Sequence, residues 1–189
     1  MSGLEDQCHK GSVARNWRHD DWRQWVLKTK TVGSSDYRDA MAHYAGHVQL
    51  VTTAHAGQRR GVTVTAACSV SDDPPTVLVC LNKSNPNNAI FLESGRFALN
   101  TLAVQHQDMA AAFAGFENKD ADARFAMGEW DTLSTGSPTL SDALAVFDCI
   151  IKEHTIMATH MVLFGEVVGL RIGNRQSSLL FMDREWRSL

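Results

Sequence analysis

The sequence predicts a mainly β fold, a closed or nearly closed barrel with a few peripheral helices. Two observations carry this. Runs of strand length, rich in β-branched and aromatic residues, follow one another along most of the chain. Only three short stretches carry helix patterning with recognisable ends, too few to cover both faces of a parallel sheet.

Taken in order, Asp36 is a good N-cap for a helix over Tyr37–Ala45, and Gly46 ends it. Val48–Thr53 reads as a strand. Ala56 to Gly61 (AGQRRG) is a turn. Val62–Ala67 is strand-like, and Cys68–Ser71 continues extended. Asp72-Asp73-Pro74-Pro75 interrupts, because proline has no N–H for a ladder. Thr76–Leu81 is an apolar run of strand length. Asn85-Pro86 opens a short helix, with proline at its first position and Gly95 closing it. Phe97–Leu102 is a strand, and Gln107–Phe113 a short helix capped by Gly115. Residues 116–140 read as irregular. Ala143–Lys152, Met161–Arg171 and Leu179–Met182 complete the strands.

Length and charge narrow the function classes. The 189 residues suit one domain with an appendage. Eighteen Lys+Arg against 21 Asp+Glu give a net charge of −3, which argues against a dedicated nucleic-acid binder. No apolar run reaches the length of a membrane-spanning helix, and the start of the chain lacks the apolar core of a secretory signal. The cysteines Cys8, Cys68, Cys80 and Cys149 are scattered without a C-x-x-C pair. A reduced, cytoplasmic protein without nucleic-acid or membrane partners is the expectation. Residues 1–35 differ from the rest, with Trp17, Trp22 and Trp25 and a terminal Gly33-Ser34-Ser35 linker signal. They read as a flexible extension or as an arm packing on a partner subunit, with the domain proper at 36–189.

Several chemistries find no support. His43 and His47 have a spacing zinc can use, but no H-E-x-x-H pattern accompanies them, so no metal is expected. There is no G-x-S-x-G elbow, P-loop or Rossmann glycine fingerprint. Anion binding is the better lead. Thr63, Thr65, Ser69 and Ser71 mix hydroxyls with the small residues Ala66 and Cys68, which let a flat ligand approach the backbone. Asn82-Lys83-Ser84-Asn85 precedes the Pro86 helix, where free N–H groups and the helix dipole favour phosphate. An ordinary strand, polar loop and helix cap would read the same way.

The blocks TVTAACSVSDDPPTVLVCLNKSN, FLESGRFALNTL, AAAFAG, FDC and ATHMVLFGEVVGL, in that order, resemble the short-chain NAD(P)H:flavin reductase family. The resemblance runs from about Tyr37 to Leu189. It is nearest to reductase components of two-component monooxygenases. The run YRDAMAHYAGHVQLVTTA is also similar to cob(II)yrinic acid a,c-diamide reductases. The resemblance implies an FMN-binding split β-barrel of Greek-key type, a homodimer, with NADH or NADPH as hydride donor and FAD as an alternative flavin. It would set Thr63, Thr65 and Ala66 beside the isoalloxazine or ribityl chain, and Cys68, Ser69, Val70 and Ser71 along the flavin edge and phosphate. Asn82, Lys83, Ser84 and Asn88 would close around the phosphate or ribityl chain, with Phe113 and Gly115 in a loop near the flavin. His160 matches the histidine of a G-D-H or G-T-H motif near the nicotinamide, and Arg184 would meet the pyridine nucleotide phosphates.

Such an enzyme needs no protein nucleophile, because the cofactors carry the chemistry. Reduced flavin would go to a flavin-dependent monooxygenase, or electrons to a corrinoid. A non-catalytic flavin- or heme-binding module, with His160, His106 or His154 as heme ligand, is the reading from another class. Ala158 stands where the motif has glycine, Trp186 where relatives have tyrosine, and Arg187 where they have histidine.

Overall fold

The computed structural model describes residues 31–189. Residues Asp39–Leu189 form one compact unit. Cys8 and the three tryptophans of the N-terminal segment lie outside the described residues. Helix α1 spans Ser34–Ala42, earlier than the sequence predicts. Asp36 sits in its first turn, where a carboxylate favours the helix dipole, and does not cap it. The expected linker residues Ser34 and Ser35 are therefore helical.

The strands β1 to β12 are Gly46–His47, Gln49–His55, Gln58–Val64, Ala67–Asp72, Pro75–Asn82, Arg96–Thr101, Trp130–Thr132, Pro138–Leu140, Ala145–Met157, His160–Ile172, Leu179–Met182 and Glu185–Ser188. Helix α2 spans Ile90–Ser94 behind a 3-10 turn at Pro86–Ala89. Helix α3 spans Gln107–Ala114 and α4 Ala121–Phe125.

Seven strands make one antiparallel sheet in the order β3-β2-β6-β9-β10-β5-β4. Its two edges, β3 and β4, are consecutive in the chain and joined by Thr65 and Ala66 alone. A flat seven-stranded sheet would hold its edges about 29 Å apart. The link from Val64 to Ala67 can span no more than about 11 Å. The sheet therefore curls until its edges meet. At the meeting point Cys80 N–H donates to Ala66 O at 2.9 Å, and Ala67 N–H turns back to Thr65 O at 3.1 Å. This is the barrel the sequence predicts, with one correction: residues 62–71 are two strands on opposite sides of the seam and not one extended run.

Two apolar clusters flank β2 and β6. Val51, Phe97, Leu99, Val79, Leu81 and Leu163 belong to one. Leu50, Ala98, Met109, Phe113, Phe125 and Leu140 belong to the other, beneath α3 and α4. Successive residues of a strand face opposite ways, so strands covered on both sides read as continuous apolar runs. A three-stranded sheet, β1-β11-β12, extends the second cluster.

The proline pair Pro74-Pro75 does not end the sheet. Asp73 and Pro74 form a tight reversal, and Pro75 pairs with Asp72 at the start of β5. Residues 116–140, expected to be irregular, contain α4, β7 and β8. Buried polar groups hold this segment. Asn100 Oδ1 accepts from Leu140 N–H at 2.8 Å, and Asp148 Oδ2 from Thr135 N–H at 2.7 Å. Strand β12, in a stretch left unassigned by pattern, pairs with β11.

Candidate functional site

Closure of the barrel gathers the singled-out residues at one end. The seam residue Ala66 lies beside Cys80, two residues along β5 from Asn82. Asn82 faces His160 across the β5–β10 ladder. Beyond Asn82, Lys83 N–H donates to Thr159 O at 3.1 Å. Residues 66–67, 80–83 and 159–160 thus converge, with Cys68 and Ser69 leading away from them along β4, although more than 90 residues separate the first from the last.

Along β4 and these two loops the exposed residues are Thr65, Ala66, Cys68, Ser69, Val70, Asn82, Lys83, Ser84, Asn85, Thr159 and His160. Strand β4 is a sheet edge, paired only with β5. Its other side presents unpaired backbone donors and acceptors. Its side chains there are small, so a planar heterocycle can reach the main chain.

The loop is rigid by its own chemistry. Asn82 Oδ1 accepts from Ser84 N–H at 2.9 Å, and Asn85 Oδ1 from Asn87 N–H at 3.1 Å. Asn88 is buried, and its Nδ2 donates to Asn82 O at 2.8 Å. Asn88 Oδ1 accepts from Arg60 Nε and Nη2 at 3.1 and 3.0 Å. Asn88 faces inward, while Lys83 and Ser84 are exposed.

Some predicted residues are spent on structure. The Thr63 hydroxyl donates to Ala110 O at 2.8 Å. The Ser71 hydroxyl donates to Asp73 O at 3.1 Å, within the β4–β5 reversal. The Phe113 ring is buried, edge-on to Phe125 at 5.1 Å, and fills the space above Gly61. A Cβ on Gly61 would stand 2.5 Å from that ring, so glycine is required for α3 to lie against β3. Gly115 takes a left-handed φ of 88° and ends α3. Phe116 follows it, 71% exposed.

Phe116 belongs to a small cleft that sequence reasoning missed. It is about 150 Å³, with Thr63, Thr65, Phe181 and Trp186 in its lining. Phe181 and Trp186 meet edge-on at 5.1 Å across the β11–β12 hairpin. The position of Phe116, next to a helix-ending glycine, was a usable signal. The pairing of Phe181 with Trp186 depends on a strand that pattern did not reveal.

His160 opens β10 after a two-residue turn. Thr159 Oγ1 lies 2.9 Å from His160 Nδ1, which leaves Nε2 for a ligand. Ala158, at the motif's glycine position, has a left-handed φ of 50°. Arg184 sits at the tip of the β11–β12 hairpin with φ 61°, ion-paired with Asp39 at 2.5 Å. It is not among the residues that converge on the seam. His43 and His47 go separate ways, to Asp183 at 2.7 Å and to Leu102 O at 3.0 Å. His106 is buried, with Nδ1 accepting from Ala103 N–H at 3.1 Å and Nε2 at 3.1 Å from the Asp142 carboxylate, so it is unsuited to ligate a heme iron. His154 lies exposed on β9, opposite Leu163.

A family model for flavin reductase like domains matches residues 41–189. The FMN reductase (NADH) RutF of Agrobacterium fabrum is 41% identical over 169 residues, 88% of this chain and 96% of its own. A solved chain from Haemophilus somnus assigned as a flavin reductase aligns with a TM-score of 0.80 and 36% identity, covering 84% of this chain and all of its own. A homologue of nitrilotriacetate monooxygenase component B from Mycobacterium thermoresistibile aligns with a TM-score of 0.76 and 29% identity, covering 82% of this chain and 86% of its own. The fold aligns with those structures over more than four-fifths of the chain, and the chain belongs to the flavin reductase like family.

Proposed function

We propose that this protein is an NADH-dependent FMN reductase that supplies reduced flavin to a partner monooxygenase. The observation that carries the reading is the convergence of the β4 edge, the 82–85 loop and His160 at the barrel seam. The residues present fit a flavin mononucleotide. The unpaired edge of β4 complements the hydrogen-bonding pyrimidine side of a flat ring, Ala66 and Cys68 leave it room, and Lys83 and Ser84 offer a charge and a donor to its phosphate. When bound, flavin accepts hydride from the nicotinamide C4 at its N5.

The protein's own work is then positional. The seam would hold the ring, and the Asn82–Asn88 bracing fixes the loop that presents Lys83 and Ser84 to the phosphate. His160, held through Nδ1 by Thr159, would offer Nε2 to the nicotinamide carboxamide. Holding two rings in near-attack geometry is the dominant contribution for a reaction without a protein nucleophile. The small cleft beside Thr65, with Phe116 and Trp186 in its lining, offers an apolar surface next to the seam. Thr63, Asn88 and Phe113 act through the elements they hold.

A homodimer completes the proposal. Val168, Leu170 and Ile172 line one side of β10, exposed by 38, 57 and 82%. Val168 and Leu170 also line a 410 Å³ groove shared with Ser69 and Val77. A second copy covering this stripe would remove apolar surface from water next to β4.

The test is NADH oxidation followed at 340 nm with and without FMN, then with NADPH and with FAD. FMN-dependent oxidation by NADH supports the reading, and no oxidation in flavin-binding protein overturns it. Gel filtration separates the two fates of the flavin. Colourless protein marks a diffusible carrier for a monooxygenase, and retained yellow flavin a prosthetic group, as corrinoid reduction would require.

A further inference from the structure

Two of the described cysteines share one face of the barrel at its seam. Cys68 pairs with Leu78 across the β4–β5 ladder, and Ala67 with Val79. Cys80 N–H donates to Ala66 O at 2.9 Å, which sets Cys80 opposite Ala66. Side chains alternate along a strand, so Ala67, Val77, Val79 and Leu81 turn into the barrel while Cys68, Leu78 and Cys80 turn out. Cys68 and Cys80 are therefore diagonal neighbours on the outer face, the first exposed and the second half-buried. Burial, and then the charge of Cys68 nearby, pushes the Cys80 thiol up, so the two sulfurs lie within electrostatic reach. Cys149, the remaining described cysteine, is buried in the apolar cluster inside the barrel.

The spacing comes close to that of a disulfide. Same-face diagonal neighbours stand about 7–8 Å apart, and a disulfide joins Cα atoms up to about 6.8 Å apart. Strand β4 must therefore close on β5 by about 1 Å. It is free to do so, because it is an edge strand paired only with β5 and its register already shifts between Ser69 and Ser71. A bridge reached by such a movement is readily reduced, which suits a reversible switch.

We propose that Cys68 and Cys80 form a reversible redox pair whose disulfide closes the flavin site when hydrogen peroxide accumulates. The Cys68 thiolate attacks one peroxide oxygen and the O–O bond breaks. Hydroxide leaves and takes up the thiol's proton, which gives a Cys68 sulfenic acid and one water. The Cys80 sulfur then attacks the Cys68 sulfur, the S–O bond breaks, and the hydroxyl leaves as water with the Cys80 proton. Two thiols lose two electrons, and one peroxide becomes two waters. Peroxide is what dioxygen gives with reduced flavin that no oxygenase takes up. The bridge would lie between Ala66 and Leu78, over the small residues that leave room for a flat ring. Flavin and bridge then exclude each other, since each occupies the surface the other needs. This exclusion rests on the flavin reductase reading, whereas the bridge itself rests on strand register.

The test starts from reduced, flavin-free protein that is treated with hydrogen peroxide, alkylated, and digested with trypsin without reduction. Trypsin cuts after Arg60 and Lys83 and nowhere between, so both cysteines fall in one peptide, 61–83. That peptide should carry no alkyl group and be lighter by two hydrogens than its reduced form. Cleavage at Asp72 or Asp73, between the cysteines, should leave the halves joined until dithiothreitol is added. Bridging should weaken FMN binding, read by fluorescence quenching, at least ~10-fold and reversibly, and saturating FMN should slow bridging by a similar ~10-fold. Cys80→Ser should stop at the Cys68 sulfenic acid, trapped by dimedone, and keep more of its FMN affinity after peroxide than the wild type does. Thermal melts check that this variant is folded, and the peptide map needs no variant. Both thiols still open to alkylation after peroxide, or Cys68 joined to Cys8 or to another chain, overturns the pair. Bridged protein that binds FMN as tightly as reduced protein overturns the exclusion, as does an equal peroxide loss in Cys80→Ser. Reduced protein that fails to bind FMN overturns the reductase reading instead, and the peptide map still judges the pair.

Discussion

Replacing Asn88 with alanine should both destabilise the protein and weaken FMN binding, although the side chain is buried. The amide is 3% exposed and makes three hydrogen bonds, one to Asn82 O and two from Arg60. A neutral hydrogen bond contributes about 0.5–1.5 kcal/mol and one to a charged group about 1.5–3. Removing the amide also leaves Asn82 O and a half-buried guanidinium unpaired. A total near 2–4 kcal/mol follows, or roughly 5–15 °C in Tm for a domain of this size. The loop then loses its anchor, and FMN affinity should fall about tenfold if ordering the loop costs binding about 1.4 kcal/mol. Asn88→Asp separates the two effects. It keeps an acceptor for Arg60 but sets an oxygen against Asn82 O. It should therefore recover much of the stability and little of the FMN affinity. Thermal melts and quenching of FMN fluorescence read the two quantities. An Asn88→Ala protein with unchanged Tm and FMN affinity would refute the bracing argument. An Asn88→Asp protein with restored affinity would show that the Asn82 contact is immaterial.

Other outcomes follow from single features. Ala158→Gly should raise Tm by a few degrees, because a left-handed alanine costs about 1–2 kcal/mol and glycine gives back somewhat less through chain entropy; a lower Tm would contradict it. His160→Ala should slow reduction of bound flavin in stopped flow with FMN affinity nearly intact; equal losses in both would remove its nicotinamide role. Burial, with the Asp148 charge, pushes the Cys149 thiol up to about 12, so at pH 8 a thiol reagent should modify exposed Cys68 and spare Cys149 until the chain unfolds, as peptide mapping would show. At Asp131, burial raises the carboxyl pKa but is outweighed by hydrogen bonds from Arg171 and Thr139 and the Arg171 charge, which leave it below the usual value. Its contribution is therefore present above the ordinary carboxylate pKa of about 4 and lost as pH falls through the depressed one; urea midpoints should fall less steeply in Asp131→Asn over that acid range.

Much of this protein was legible in the sequence because much of it is local. Alternation and β-branched runs marked β2, β5, β6, β9, β10 and β11, and Gly95 and Gly115 closed α2 and α3 where helix-ending glycines belong. The ordered blocks around Thr63–Ser84 and Thr159-His160 carried the family. Patterning did not reveal which strands become neighbours. The seam at Thr65-Ala66 exists because β3 and β4 lie at opposite edges of a sheet that curls, and an extended run looks the same whether or not it crosses such a seam. The same limit applies to side chains. Thr63 and Asn88 are as polar as Thr65 and Asn82, yet Ala110 and Arg60 claim their polar groups from elsewhere in the chain. Residues 116–140 lack period because Asn100 and Asp148, on strands distant in sequence, hold them through buried hydrogen bonds. Periodicity reports the covering of one strand or helix face. Closure and hydrogen-bond partners are set by contacts between distant segments, which tertiary packing alone decides.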